Sequence, residues 1–128
     1  MLITQSLKTQ IIKAIKLAQN RLIWKPGKDI KHLTKRIQLR HLSPNTTLAE
    51  YERLIYQVFN QPKAQLYLFQ WGSTVYPTVV AIVENRLWLV MIGLDGVMET
   101  AFPPTDPDDY LADPAYFYVD LLEVFQNE

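Results

Sequence analysis

Two imidazoles stand in the most basic stretch of this chain, Lys31-His32-Leu33-Thr34-Lys35-Arg36-Ile37-Gln38-Leu39-Arg40-His41. Histidine is the side chain whose unperturbed pKa lies near neutrality, so His32 and His41 are the candidates for proton transfer. On a helix, His32, Arg36 and Arg40 recur every four residues and form one row, with Lys31 and Lys35 in a second row beside it. Imidazoles among cations suit phosphodiester transfer on RNA. There the ribose 2′-OH attacks the adjacent phosphorus, which calls for a base, an acid for the leaving oxygen and cationic donors around the phosphorane. Arg36 has the fork to clamp a phosphate, and Lys35 and Arg40 can steer the strand. DNA has no 2′-OH and should not be cut. Both histidines also admit a plain structural role. His41 can simply end the helix, where the dipole favours a cation, and His32 can be a surface histidine without function.

Other chemistries find little support. The chain has no Gly-rich phosphate loop, no GxSxG elbow and no HExxH pair. A two-histidine metal site needs a carboxylate from elsewhere and would set a dication among cations, so neither a metal nor any other cofactor is expected. The absence of cysteine excludes disulfides, thiolate ligands and a Cys nucleophile. The net charge of zero hides a segregation. Residues 1–40 hold ten of the thirteen Lys and Arg against one acid, Asp29, while residues 41–128 hold twelve acids against Arg53, Lys63 and Arg86. A basic face for a polyanion explains this, and so does mutual neutralisation across an internal contact.

The elements that position these residues follow from periodicity. Ile3, Leu7, Ile11, Ile15, Ala18 and Leu22 mark an amphipathic helix over residues 3–22. After the Pro26-Gly27 break, Asp29 is the expected cap of a second helix whose Ile30, Leu33 and Ile37 face inward. Thr47-Leu48-Ala49-Glu50 reads as a capping box for a third, with Leu48, Tyr51, Leu54, Ile55, Val58 and Phe59 as its buried stripe. The period then becomes extended in Gln65–Trp71, Thr78–Val83, Arg86–Ile92 and Val97–Phe102. The short connections between these segments permit hairpins and forbid helical crossovers, so an antiparallel meander is expected. Pro77 fits only at the start of its strand or on an exposed edge. Simple alternation sets Met98, Thr100 and Phe102 on one side of the last strand and Val97, Glu99 and Ala101 on the other. Thr100 by itself is an ordinary strand threonine. The segment Tyr116–Phe125 is compatible with a short helix or an edge strand.

The length of 128 residues and an apolar content of 48% describe one domain with a continuous interior. The expected class is α+β, with N-terminal helices packed on one face of an antiparallel sheet of about four strands. Within a single domain, 1–128, residues 1–62 form the basic helical part, 63–104 the sheet and 105–128 an acidic C-terminal extension. No apolar run reaches the roughly 18 residues of a membrane span. No signal peptide is evident, so the cytoplasm is the expected compartment, or a target cell's cytoplasm for a delivered toxin domain.

Asp95-Gly96-Val97-Met98-Glu99-Thr100-Ala101-Phe102-Pro103 resembles the strand that closes the active site in EndoU-type endoribonucleases, a family that includes the coronaviral uridylate-specific enzyme. The preceding Val79–Ile92 hairpin fits the same pattern. Lys31-His32-Leu33-Thr34-Lys35-Arg36 followed by Thr47-x-x-Glu50-Tyr51-Glu52 is similar to small toxins of the barnase/EndoU/colicin/RelE group, and the resemblance spans residues 28–104. It implies a metal-independent endoribonuclease leaving 2′,3′-cyclic phosphate ends, often a toxin restrained by an immunity or antitoxin protein. Under that resemblance His32 matches the helix histidine, His41 is the one residue left for the second, and Thr100 matches the late-strand hydroxyl. Phe102 stands where a base-stacking Tyr is expected, which keeps the ring and loses the phenol. No lysine matches the catalytic one, and Arg36 or Arg86 has to replace it. The expected catalytic set is therefore His32, Arg36, His41 and Thr100, with Lys31, Lys35, Arg40, Arg86 and Phe102 holding RNA. The competing expectation is a non-catalytic RNA- or protein-binding module on the same scaffold. A third is that Asp106–Glu128 docks a basic partner.

Overall fold

In the computed structural model, which describes all 128 residues from Met1 to Glu128, Thr4 opens the first helix, α1 (Gln5–Asn20), by accepting a hydrogen bond from the Leu7 amide at 3.1 Å. Ile11, Ala14, Ile15 and Ala18 are its buried stripe, and the lysines Lys13 and Lys16 stay outside. The third helix, α3 (Leu48–Asn60), carries the complete capping box: the Glu50 amide donates to Thr47 Oγ1 (3.1 Å) and the Thr47 amide to Glu50 Oε1 (2.9 Å). The bond from the Thr47 amide, with a second from the Thr47 hydroxyl to Glu50 Oε1 at 3.0 Å, holds the Glu50 carboxyl below the usual carboxylate range.

The second helix, α2 (Lys28–Gln38), departs from the sequence reading in two ways. It is capped by Gly27, at φ +77°, with no side-chain bond. Asp29 is not the cap but sits in the first turn, where its Oδ1 accepts from the Ile30 amide at 2.8 Å. The left-handed turn that glycine permits brings the chain into the helix two residues early, and the acid then faces the positive end of the dipole. The inward face also shifts. Ile30 is 53% exposed, whereas Leu33 and Arg36 are buried at 8% and 5%. Charge pattern alone sends an arginine outward, and only the ring it meets in the folded chain explains its inward course.

Five strands form one antiparallel sheet in the order β4-β3-β2-β1-β5: β1 (Gln65–Trp71), β2 (Thr74–Val83), β3 (Arg86–Ile92), β4 (Met98–Phe102) and β5 (Tyr116–Leu121). Glu84 and Asn85, both at positive φ (53° and 65°), make the two-residue turn that matches the twist of β2 and β3. Pro77 lies inside β2, on a stretch paired to β1 alone because the β3 ladder ends at Thr78↔Met91. The segment left open between helix and strand is both in succession: β5 pairs with β1, and α5 (Leu122–Gln126) follows at once.

The N-terminal helices cover one face of the sheet, where a 23-residue cluster joins Ile11, Ile15, Tyr51, Ile55, Leu66, Val90 and their neighbours. The opposite face has a smaller cluster of Val80, Leu89, Met91 and Tyr116, against which Leu111 of the short helix α4 (Pro107–Leu111) packs. A bulge corrects the expected alternation in β4. Thr100 opposes Met91 and Met98 opposes Ile92, so Glu99 is the extra residue and Met98 turns to the helix side with Ala101. Thr100 and Phe102 keep the opposite face. No helix is long and apolar enough to cross a membrane.

Candidate functional site

β4 is an edge strand, and α2 lies beside it. The end of α2 turns the chain back on itself. The Arg40 amide donates to the Ile37 carbonyl (2.9 Å) and the His41 amide to the Arg36 carbonyl (2.8 Å), with Arg40 at φ 60°. This pair of bonds is a Schellman motif with arginine where glycine is usual. It swings His41 away from the helix axis and back beside the turn that carries Arg36. The sequence reading allowed His41 to be a mere helix end; it ends the helix and also enters a cleft.

That cleft, of about 770 Å³, runs between α2, β4 and α4. Lys35, Arg36 and His41 form one wall, Thr100 and Phe102 the floor, and Asp106, Asp109 and Tyr110 the far wall. The Arg36 guanidinium lies over the Phe102 ring, 5.5 Å from its centroid. It takes no part in an ion pair: the two salt bridges of the protein are Lys8–Glu128 and Lys25–Glu99. Its Nε is buried without any hydrogen-bond partner, and so is Nδ1 of His41. Burial lowers the pKa of Arg36, with the neighbouring Tyr51 opposing the shift, yet a guanidinium stays protonated in any protein. A buried charge with no counter-ion costs several kcal/mol, and the aromatic face returns only about 0.5–2 kcal/mol. Such a group is energetically poised to accept an anion.

His41 is held below its ordinary pKa by burial first, then by Arg36 and Arg86, which favours the uncharged imidazole. A neutral imidazole offers one donor and one acceptor nitrogen and can take a proton. Arg86 does not line the cleft. It donates to the His41 carbonyl at 3.4 Å, a long bond that tethers the loop from behind. Below the site, the Tyr51 hydroxyl donates to the Ala101 carbonyl at 2.7 Å and ties α3 to β4. Burial drives that phenol well above its ordinary pKa, so it acts as a fixed donor.

Of the residues predicted from sequence, Arg36, His41, Thr100, Lys35 and Phe102 share the cleft, and His32, Lys31, Arg40 and Arg86 do not line it. His32 stands one turn upstream of Arg36, tilted against the Trp24 ring at 5.6 Å and half-buried there. Burial and then Arg36, Lys28, Lys35 and Lys31 lower its pKa. Trp24 is itself anchored by donating Nε1–H to Glu52 at 3.0 Å. Lys31 and Arg40 project to solvent.

The far wall was missed. Asp106 caps α4 by accepting from the Asp109 amide at 3.2 Å, Pro107 occupies the first helical position, and the Tyr110 and Phe102 rings meet in T-shaped geometry at 5.4 Å. The signal was present in Asp106-Pro107-Asp108-Asp109, an acid followed by proline at the start of a helix. Compared with known proteins, the chain matches no family model, no curated protein and no solved structure.

Proposed function

We propose that this chain is a metal-independent endoribonuclease whose reaction takes place between α2 and β4. The observation that carries the proposal is that Arg36, buried with its Nε unpartnered, and the His41 imidazole, with its Nδ1 buried and unpartnered, line the same cleft as the Thr100 hydroxyl. A phosphodiester is the anion that suits them. Arg36 takes two non-bridging oxygens through its fork, and Thr100 donates to a third acceptor on phosphate or base. His41 removes the proton of the ribose 2′-OH, O2′ attacks phosphorus, and the P–O5′ bond breaks. The leaving O5′ takes a proton from Lys35 at the cleft rim. One strand then ends in a 2′,3′-cyclic phosphate and the other in a 5′-hydroxyl, with no water consumed in this step. The cyclic ester and the phosphorane both concentrate negative charge where Arg36 stands, which is where stabilisation helps the rate.

The test is incubation of the purified chain with a mixed-sequence RNA in excess chelator. Cleavage with cyclic-phosphate ends, lost in His41→Ala and Arg36→Met but retained in His32→Ala, is the expected result; cleavage no faster than in the His41→Ala control refutes the assignment. A second reading has a specific basis: one imidazole, rather than two, lines the cleft. Salt-sensitive RNA binding without cleavage would establish that reading, a binding module on the same scaffold. The toxin role that the resemblance implies is a proposal of the same standing, read from growth arrest on expression that His41→Ala relieves.

A further inference from the structure

The two walls of the cleft are chemically opposite. One is cationic, and the other presents the carboxylates of Asp106 and Asp109 beside the Tyr110 ring. An anionic phosphate is attracted to the first and repelled by the second, so the acidic wall needs a different part of the ligand. We propose that α4 is the base-selecting wall of this site and that the base it takes is guanine. This inference rests on reading the cleft as a ribonuclease site.

The two carboxylates are not equivalent. Asp106 is occupied in capping α4, whereas the Asp109 carboxylate has no hydrogen bond or ion pair within the protein. Asp109 is therefore the free acceptor, with two oxygens side by side. Among the four bases, guanine alone offers two adjacent donors, N1–H and N2–H, at the spacing of a carboxylate. Adenine and cytosine each set one amino group beside a ring-nitrogen acceptor, and uracil flanks its single N3–H with two carbonyls that a carboxylate repels.

Tyr110 supplies the stacking surface. It is 39% exposed, its ring lies T-shaped to Phe102 and tilted against Tyr116, and its hydroxyl accepts from that of Tyr116 at 3.1 Å. A ring held by two aromatic neighbours and by its hydroxyl is preorganised, and its exposed part is open to a base. The second, independent feature is Arg36, whose unpaired buried guanidinium opens into the same cleft and takes the phosphate of the same nucleotide. The resemblance left the base preference open, and the charge of Asp109 disfavours uracil here.

The experiment is calorimetric titration of the full chain with the 3′-monophosphates of guanosine, adenosine, cytidine and uridine, and with inorganic phosphate. Guanosine 3′-monophosphate is expected to bind roughly tenfold or more tightly than the uridine compound, the range of one good bidentate contact. Asp109→Asn should erase that ratio while inorganic phosphate still binds, which also shows that the variant is folded. Uridine binding as tightly as guanosine, or a guanosine preference that survives Asp109→Asn, overturns the inference. Guanosine selection by a chain that cuts no RNA removes the nuclease assignment and leaves the base-selecting wall. Cleavage without base selection does the reverse.

Discussion

Replacing Arg36 with methionine should stabilise this protein while abolishing its affinity for phosphate. Arg36 is 5% exposed, its Nε has no partner and no carboxylate pairs with it. An unsatisfied buried donor costs about 1–3 kcal/mol, and replacing a buried ionic group by an apolar one of similar volume often gains about 1–4 kcal/mol. Against this stands the loss of the cation–π contact with Phe102, about 0.5–2 kcal/mol, since the guanidinium lies 5.5 Å from the ring centroid. Methionine keeps the unbranched stem and its thioether packs well on an aromatic ring, so little cavity is created. The balance is a gain of about 1 kcal/mol, or roughly 4 °C in Tm for a chain of this size. Urea titration monitored by tryptophan fluorescence reads it as a raised midpoint at constant slope.

The same titration with phosphate completes the argument. At ten times its Kd, phosphate should stabilise the wild type by about 1.4 kcal/mol, and it should do nothing for Arg36→Met. A variant destabilised by about 2 kcal/mol or more would mean that the guanidinium already has its counter-charge within the fold. Equal stabilisation of both proteins by phosphate would place the anion site elsewhere. Either result refutes the reasoning.

Two further outcomes follow from the geometry. Because burial, Arg36 and Arg86 hold the folded-state pKa of His41 below its reference value of 6.5, the unfolded chain binds more protons between those two values. The stability contributed by neutral His41 is therefore full above about pH 6.5 and is lost as pH falls toward the folded pKa; urea midpoints at descending pH should show a shallower fall in His41→Gln than in the wild type. At Arg40, φ is 60°, a conformation that costs an L-residue about 1 kcal/mol relative to glycine, so Arg40→Gly should raise the urea midpoint by about that amount and preserve phosphate binding. A lowered midpoint would show that the arginine side chain contributes more than its backbone costs.

The α+β class and most elements were legible because they rest on local signals. The capping box at Thr47 and Glu50 closes within one turn, and the segments Gln65–Trp71, with an aromatic at every second position, and Arg86–Ile92, a short unbroken apolar run, coincide with strands bounded by turns. β5 was less legible. Its partner in the ladder is β1, some fifty residues earlier, and no hairpin turn announces it. Of the site, residue types were readable and orientations were not. The expected row of His32, Arg36 and Arg40 is helical only for its first two members, and the three have three fates: one leans on Trp24, one is buried over Phe102, and one lies past the helix end and turns the chain in a left-handed conformation.

From its residues alone this chain carried the basic helix, the order of helices before strands, and the donors available for phosphate chemistry. Those are properties of neighbours within a few residues, where propensity and periodicity act. Tertiary structure alone decided that Arg36 faces inward, that the Glu99 bulge leaves Thr100 and Phe102 on the face away from the helix core, and that α4 closes the cleft with an acidic wall. The first is a contact between segments far apart in sequence, and the other two are a strand register and a helix packing that no residue pattern carries by itself. Desolvation and aromatic packing between such segments outweigh the preference that any single residue expresses in its local context.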